Sequence, residues 1–196
     1  MAHMVSLTKG ENVNLTKMAP ALTAIAIGLG WVRRVTDGEK FDLDASLFML
    51  NEQGVVEGAA GFIYYGKKES DCGSVKHNGD SRTGNECATD DDETINVDLS
   101  KVPASIKRLS IAVSIDKATE RQQNFGMVSN AFIRVVDQDS KEELTRFDLS
   151  EDASVQTALV LGELYRHGDD WKFKAVGQGY KEGLAELIKQ YGLGAE

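Results

Sequence analysis

Residues 158 to 177 read ALVLGELYRHGDDWKFKAVG, and this stretch decides the fold. Two apolar segments, Ala158–His167 and Lys172–Gly177, flank the polar turn His167-Gly168-Asp169-Asp170. Short apolar segments bounded by Gly, Asn or Asp are typical of strands, and a turn of this composition joins them as a hairpin.

Segments of the same kind recur along the chain. Gly54, in the turn Asn51-Glu52-Gln53-Gly54, takes a positive φ without penalty and favours another hairpin. About nine strands with few helices predict an all-β sandwich of two mainly antiparallel sheets. We expect a single domain over residues 4–196, because residues 1–3 (Met-Ala-His) are typical of a cloning scar. The other predicted strands are Thr23–Gly28, Ser46–Leu50, Gly61–Tyr65, Thr94–Asp98, Leu109–Ile115, Ala131–Val136 and Leu144–Asp148.

Two short helices are also predicted. Ala118–Gln123 is polar and straight-chained, and Lys181–Tyr191 carries apolar residues at helical spacing with Gly192 just beyond it. The segment Lys67–Asp92 fits neither strand nor helix, because it is polar and rich in Gly and Asp. Structureless loops of this length are uncommon in compact domains and are usually functional or disordered.

The composition limits the class of protein. A net charge of −9 argues against nucleic-acid binding, which needs a basic surface. No apolar run approaches the roughly 20 residues of a membrane span, so we expect no membrane insertion. No charged n-region followed by an apolar h-region opens the sequence, so we expect no export. Two cysteines are too few for a secreted disulfide scaffold of this size, and we expect a cytoplasmic protein.

Two acidic clusters are the candidate functional residues. In the first, Asp42 and Asp44 are two residues apart and share a face of an extended chain. In the second, a central glycine lets the flanking oxygens of Asn78 and Asp80 converge. The first cluster contains Asp37, Glu39, Asp42 and Asp44. The second contains Asn78, Asp80, Asp90, Asp91, Asp92 and Glu93.

The donor atoms of both clusters favour calcium. Ca²⁺ takes 6–8 oxygen ligands in flexible geometry, whereas Mg²⁺ needs a tighter octahedron and Zn²⁺ prefers Cys and His. Like charges 4–6 Å apart in a partly buried site cost on the order of several kcal/mol, and a bound divalent cation removes that cost. The spacing is not that of an EF-hand. The alternative interpretation of Asp90–Glu93 is a solvated acidic run on the surface.

Ordered motifs through the whole of Met4–Glu196 carry a family resemblance. They are Val5–Gly10, Asn14–Lys17, Gly28–Trp31, Phe41–Ser46, His77, Gly79–Asp80, Arg82–Gly84, Asp91–Glu93, Asn124–Gly126, Arg146–Leu149, Gly162–Arg166 and Trp171–Phe173. In this order they resemble the TerD family of tellurite-resistance and stress-response proteins.

The resemblance implies a bacterial, non-enzymatic β-sandwich whose acidic loops bind calcium and take part in resistance to tellurite, phage or colicins. It implies partners among other resistance and stress-response proteins, including membrane-associated ones. The number of clustered acids leads us to expect two ions. The ligands carried over by motif are Asp42, Asp44, Asp80, Asp91, Asp92 and Glu93, and Asp37 and Asn78 are added by position.

One residue and one short stretch depart from the family pattern. Val32 stands where the family has an aspartate after Gly-Leu-Gly-Trp, and residues 85–90 replace a glycine-rich stretch with Asn-Glu-Cys-Ala-Thr-Asp. Both changes affect the region that we expect to hold one of the ions.

A second hypothesis belongs to a different class of function. Cys72 and Cys87 could serve a thiol-dependent tellurium-handling or redox enzyme. Reactive cysteines need a cationic setting, and the carboxylates of this segment are expected to raise the thiol pKa. A hydrolase that uses His77, Asp80 and a serine is disfavoured, because no serine has the Gly-x-Ser-x-Gly context of a nucleophile elbow.

Overall fold

The computed structural model describes residues 4–33, 41–79, 91–149 and 155–194. Within these residues the chain forms twelve strands, three short α-helices and two single turns of 3₁₀-helix. The strands are β1 Val5–Leu7, β2 Asn12–Asn14, β3 Ala24–Arg33, β4 Leu43–Leu50, β5 Phe62–Ile63, β6 Val75–His77, β7 Glu93–Asp98, β8 Arg108–Ile115, β9 Val128–Asp137, β10 Glu143–Asp148, β11 Ala158–His167 and β12 Asp170–Tyr180. The α-helices are α1 Leu15–Met18, α2 Ala118–Arg121 and α3 Leu184–Gln190.

The described strands form two six-stranded sheets. Sheet A has the order β1-β10-β9-β3-β7-β6, and sheet B has the order β2-β12-β11-β8-β4-β5. Neighbouring strands are antiparallel except for β1, which runs parallel to β10. The predicted all-β sandwich with a helix near the C-terminus is therefore confirmed.

The main core lies between the two sheets. In β7 the positions of Glu93, Ile95 and Val97 are buried, while Thr94 and Asn96 on the opposite face are half-buried. This alternation places one side of each strand in the interior and the other on the outer face of its sheet. One charged residue, Glu93, thus occupies a core position.

A second apolar layer covers the outer face of sheet B. Helix α3 brings Leu187, and the residue that follows it, Tyr191, against Phe48 of β4 and Tyr180 of β12. The Tyr191 hydroxyl is hydrogen-bonded to Ser110 Oγ at 2.8 Å inside this layer. None of the helices in the described residues is long and apolar enough to cross a membrane.

The structure corrects several predicted boundaries. Strand β4 begins at Leu43, three residues earlier than predicted, and so includes Asp44. Strand β6 lies inside the segment Lys67–Asp92, for which no element was predicted. Strands β1 and β2 were also missed, because three residues are too few to display a period of two. Both predicted hairpin turns are present, with Gly54 at φ +78° and Gly168 at φ +64°.

Four strands meet at one end of the sandwich, which we call the loop end. It is the end where β3 finishes, β4 begins, β6 finishes and β7 begins. Leu29 of β3 lies opposite Glu93, and His77 lies opposite Ile95, which fixes the three strands of sheet A there. A hydrogen bond from the Ala45 N–H of β4 to Glu93 brings sheet B to the same end.

The buried tyrosine in the second apolar layer leads to a prediction about stability at alkaline pH. Burial, its largest cause, raises the pKa of Tyr191 to about 12, so folding favours the neutral phenol. This stabilisation is complete below pH 10 and is lost as the pH rises from 10 towards 12. Over that range the contribution of Tyr191 to the free energy of unfolding falls by up to about 1.4 kcal/mol per pH unit.

We expect Tyr191→Phe to remove this part of the pH dependence. At pH 8 the variant should be about 1 kcal/mol less stable, because the bond to Ser110 is lost. Urea unfolding between pH 8 and pH 11.5 measures both effects, with the exposed Tyr65→Phe as control. Identical pH slopes in wild type and Tyr191→Phe would contradict the interpretation.

Candidate functional site

Six of the eight predicted metal ligands lie in the described residues, and all six are at the loop end. They are Asp42, Asp44, Asn78, Asp91, Asp92 and Glu93. Asp37 and Asp80 lie outside the described residues, as do Cys87 and the stretch 85–90. The topology therefore brings the described members of both acidic clusters to one end of the sandwich.

Glu93 joins the two sheets from a buried position. Its side chain is 1% exposed, and its Oε2 accepts the N–H of Ala45 in β4 at 2.6 Å. Ala45 is the third residue of β4 and directly follows Asp44. The carboxylate of sheet A thus fixes the backbone of sheet B beside a predicted ligand.

His77 completes the same contact. Its Nδ1 accepts the N–H of Gly79 at 3.2 Å, which leaves Nε2 as the ring nitrogen that carries a proton. Nε2 lies 3.3 Å from the carbonyl oxygen of Ala45 and 3.5 Å from Glu93 Oε2. The two buried side chains together therefore face both backbone polar groups of Ala45.

Asp92 is tied to the neighbouring strand of its own sheet. Its Oδ2 accepts the N–H of Trp31 at 2.9 Å, and its own N–H donates to the carbonyl of Leu29 at 2.8 Å. These two bonds extend the pairing of β7 with β3 by one residue at the loop end.

Asp91 is held by an arginine on the outer face of sheet A. Arg134 of β9 donates Nε to Oδ1 at 2.8 Å and Nη2 to Oδ2 at 3.0 Å, while its Nη1 donates to Glu143 at 3.1 Å. The Asp91 carboxylate raises the pKa of the Arg134 guanidinium above its ordinary value. Both oxygens of this predicted ligand therefore accept charge-assisted hydrogen bonds from the protein.

Asp42 and Asp44 share the opposite face of the molecule. Phe41, Leu43 and Ala45 are buried, and the two intervening aspartates are half-buried on the outer side of sheet B. This is the shared face that their two-residue spacing predicts. The N–H of Asp116 donates to the carbonyl of Asp42 at 2.8 Å, which ties this segment to the end of β8.

Asn78 belongs to the outer face of sheet A. It follows the inward-facing His77, and its Oδ1 accepts from Asn96 Nδ2 at 3.4 Å. Asn78 and the pair Asp42 and Asp44 are therefore separated by the thickness of the sandwich, about 10 Å between packed sheets. A single ion with Ca–O distances of 2.3–2.6 Å does not reach both groups.

The donor chemistry at the loop end fits a hard cation, although only part of such a site is described. Carboxylate and amide oxygens predominate, as calcium prefers. Among residues 4–33, 41–79, 91–149 and 155–194, no three His, Cys, Asp or Glu side chains are grouped as a metal site requires. Calcium binding by these residues therefore stays a prediction.

Comparison with known proteins decides the family. The family model described as "TerD domain" matches residues 2–191. The chain belongs to the TerD family. It is 50% identical over 191 residues to "Tellurium resistance protein TerD" of Serratia marcescens, with coverage of 97% of this chain and 98% of that protein.

Other TerD-family relatives are named for stress responses. "General stress protein 16U" of Bacillus subtilis (strain 168) is 47% identical over 190 residues, which cover 96% of this chain and 97% of that protein. A solved homologue of telluride resistance protein (TerD) from Streptomyces coelicolor A3(2) superposes with a TM-score of 0.68 at 21% identity. That superposition covers 86% of this chain and 95% of the solved one and supports the fold. The family is thus one of tellurium-resistance and stress-response proteins.

Cys72 comes just before β6, at the end of the sandwich opposite the loop end. It lies beside a surface cavity of about 180 Å³, whose lining includes Met49, Pro103 and Ile106. Partial burial acts to raise the pKa of its thiol. Donation from Ser70 and Ser74 and from backbone N–H groups outweighs burial, so the net pKa is lowered. Ser70 Oγ and Ser74 Oγ lie 3.4 Å and 3.0 Å from the sulfur. The prediction that carboxylates raise the thiol pKa is therefore wrong for Cys72, and Cys87 lies outside the described residues.

Arg134 and Gly28 are the residues around Asp91 that sequence reasoning missed. Gly28 was noticed only as the end of a predicted strand and as part of the Gly-Leu-Gly-Trp motif, yet a Cβ at this position would coincide with the Asp91 carboxylate. Arg134 lies 43 residues from Asp91, and nothing in the sequence pairs them. A lone arginine in an otherwise apolar strand segment was the one available signal.

The buried contact of Glu93 leads to a prediction about folding without metal. We expect Glu93→Gln to lower the free energy of unfolding of calcium-free protein by about 1–3 kcal/mol, because a charge-assisted bond to Ala45 and the attraction to His77 are lost. Urea unfolding in a chelator measures this. Glu52→Gln, in an exposed turn, changes the charge equally and should have no effect. Equal stability of both variants would show that Glu93 does not join the sheets.

The serine contacts of Cys72 predict its reactivity. Alkylation of Cys72 should show a pH midpoint below that of an unperturbed cysteine, because the hydroxyls stabilise the thiolate. Ser74→Ala removes the nearer hydroxyl, at 3.0 Å, and should raise the midpoint. Mass spectrometry of the peptide that carries Cys72 separates it from Cys87. An unchanged midpoint in Ser74→Ala would rule out the serine as cause.

Proposed function

We propose that this TerD-family protein is a calcium-binding, non-enzymatic module of a bacterial tellurium-resistance and stress-response system, and that calcium orders its acidic loops for recognition by partner proteins. The observation that carries the proposal is the convergence of two acidic clusters, far apart in sequence, at the loop end. The names of the relatives support a role in tellurium resistance and stress responses.

The proposal assigns the ligands to two ions. Asp42 and Asp44, together with Asp37, serve one ion on the side of sheet B. Asn78 and Asp92, together with Asp80, serve the other on the side of sheet A. The separation of Asp44 from Asn78 by the thickness of the sandwich supports two ions over one. Asp91 and Glu93 come after these ligands, because both oxygens of Asp91 accept from a cationic guanidinium and the side chain of Glu93 is buried between the sheets.

The partners follow from the charge of the loop end. Bound calcium neutralises part of a net charge of −9 and changes which proteins this end attracts. We propose partners among other resistance and stress-response proteins, including membrane-associated ones, in the cytoplasm. Nucleic acid is not among the proposed partners, because the surface lacks a basic balance.

Calcium should stabilise metal-stripped protein in a selective way. At about 100 times the dissociation constant each site adds roughly 2.7 kcal/mol, which for a chain of this size raises the melting temperature by several degrees. Asp44→Asn should lose about half of the shift, because one ion of two is lost. Asp169→Asn, an exposed acid in the β11–β12 turn at the opposite end, should keep all of it.

Differential scanning calorimetry with calcium, with magnesium and with chelator tests this directly. Magnesium should give a smaller shift than calcium at equal concentration. The absence of any calcium-selective shift in wild type would refute the proposal, and a full shift in Asp44→Asn would refute the assignment of that ligand.

The thiol-dependent alternative is favoured by one observation, the lowered pKa of Cys72 beside a cavity. Replacement of Cys72 and Cys87 by Ser distinguishes the two functions. Under our proposal the calcium shift and tellurite resistance in a complemented strain survive this double replacement. Loss of resistance with an intact calcium shift would transfer the function to the thiols.

A further inference from the structure

The guanidinium of Arg134 makes an unusually complete set of contacts for a partly exposed arginine. Two of its N–H groups donate parallel hydrogen bonds to the Asp91 carboxylate, and a third donates to Glu143 of β10. The fork geometry of arginine matches a carboxylate in this way, and a lysine does not. Arg134 and Asp91 are 26% and 18% exposed at their side chains, so the pair is largely withdrawn from solvent.

Asp91 reaches Arg134 by crossing a whole strand. Gly28 of β3 pairs with Thr94 of β7 on one side and with Arg134 of β9 on the other. The side chain of Asp91 therefore passes over Gly28, where a Cβ would coincide with its carboxylate. Gly28 does not take a positive φ, so backbone conformation does not require a glycine there. The requirement is for space beside the Asp91 carboxylate.

The three successive acids Asp91, Asp92 and Glu93 are each fastened to a different strand. Asp91 accepts hydrogen bonds from the Arg134 side chain of β9. Asp92 accepts one from a backbone N–H of β3, and Glu93 accepts one from a backbone N–H of β4. The start of β7 is thereby fixed against both sheets. Calcium beside Asp91 would have to displace a guanidinium or share its carboxylate with one, and the two cations repel each other.

We infer that Arg134 is a positioning residue for calcium and that Asp91 is its anchor on the outer face of sheet A, not a ligand. The inference rests on the proposed calcium binding. Arg134 acts through Asp91 to hold Asp92 and the start of β7 in the geometry that the ion requires, as residues behind metal ligands commonly do.

The sign of one effect separates an anchor from a ligand. If Asp91 binds calcium, Arg134→Gln removes a competing cation and the affinity rises. If Asp91 is an anchor, Arg134→Gln releases the start of β7 and the affinity falls. We expect calcium to bind Arg134→Gln about tenfold more weakly, measured by isothermal titration calorimetry at a temperature where both proteins are fully folded.

Arg146→Gln is the matched control. Arg146 lies next to Arg134 in the pairing of β10 with β9, stacks on Phe132 at 3.7 Å and pairs with Asp148. Its loss changes the net charge of the same face by the same amount. We expect its calcium affinity to stay within twofold of wild type. Equal weakening in both variants would show a general charge effect and overturn the inference.

Three further variants test the anchor itself. Asp91→Asn and the double variant with Arg134→Gln should each lose the same tenfold as Arg134→Gln alone, because all break one contact. Arg134→Lys should recover only part of the loss, since it keeps the charge without the fork. A greater loss in Asp91→Asn than in Arg134→Gln, or tighter binding in Arg134→Gln, would make Asp91 a ligand.

Failure of calcium binding itself gives a different result. If wild type shows no calcium heat, the proposed function is wrong and Arg134 has no role in metal affinity. The anchor is then judged by a double-mutant cycle of urea unfolding without metal. Coupling between Asp91→Asn and Arg134→Gln would leave a purely structural contact, and independent effects would remove the anchor as well.

Discussion

The hydrogen bond from the Ala45 N–H to the buried carboxylate of Glu93 is the contact on which the loop end depends. On the side away from β8, strand β5 pairs with β4 at Leu47 and Phe48. At Ala45 the side chains of Glu93 and His77 take the position of a neighbouring strand and face its N–H and C=O. A buried carboxylate is costly unless it is hydrogen-bonded, and an open strand edge needs partners. Each sheet therefore supplies what the other lacks, and the two sheets are fixed relative to each other where the acidic segments begin.

This contact fixes the relative position of the two sheets at the loop end. Sheets that meet only through apolar side chains can shift by small amounts, because the hydrophobic effect is not directional. A hydrogen bond of 2.6 Å between Glu93 and Ala45 is directional and sets the position of β4 beside β7. Asp44 lies next to Ala45 and Asp92 lies next to Glu93, so the distance between the two acidic groups follows from it. The Asp91–Arg134 contact adds a second constraint on the opposite face of sheet A.

The sequence predicted those features that repeat, and it failed where a feature depends on a distant partner. The long strands Ala158–His167 and Lys172–Gly177 were recognised from apolar runs and a glycine turn, and β12 extends the second to Tyr180. Strand β6 has only three residues, and its pairing with β7 creates it. The resemblance to a known family located the acidic residues. It could not show that Asp91 is held by Arg134, because no local pattern connects this arginine to the motif.

The electrostatic argument for a cation must be applied residue by residue. Consecutive acids repel, and that repulsion was the physical reason to expect a divalent ion at Asp91, Asp92 and Glu93. In the folded chain the guanidinium of Arg134, the N–H of Trp31 and the N–H of Ala45 each approach one of these carboxylates. Much of the repulsion is therefore relieved by the protein before any metal binds. The same fold that collects the acids at one end also uses three of them to hold itself together. A count of clustered acids is therefore not a count of ligands, because the neighbours that each carboxylate meets in the fold decide how much of its charge is already balanced.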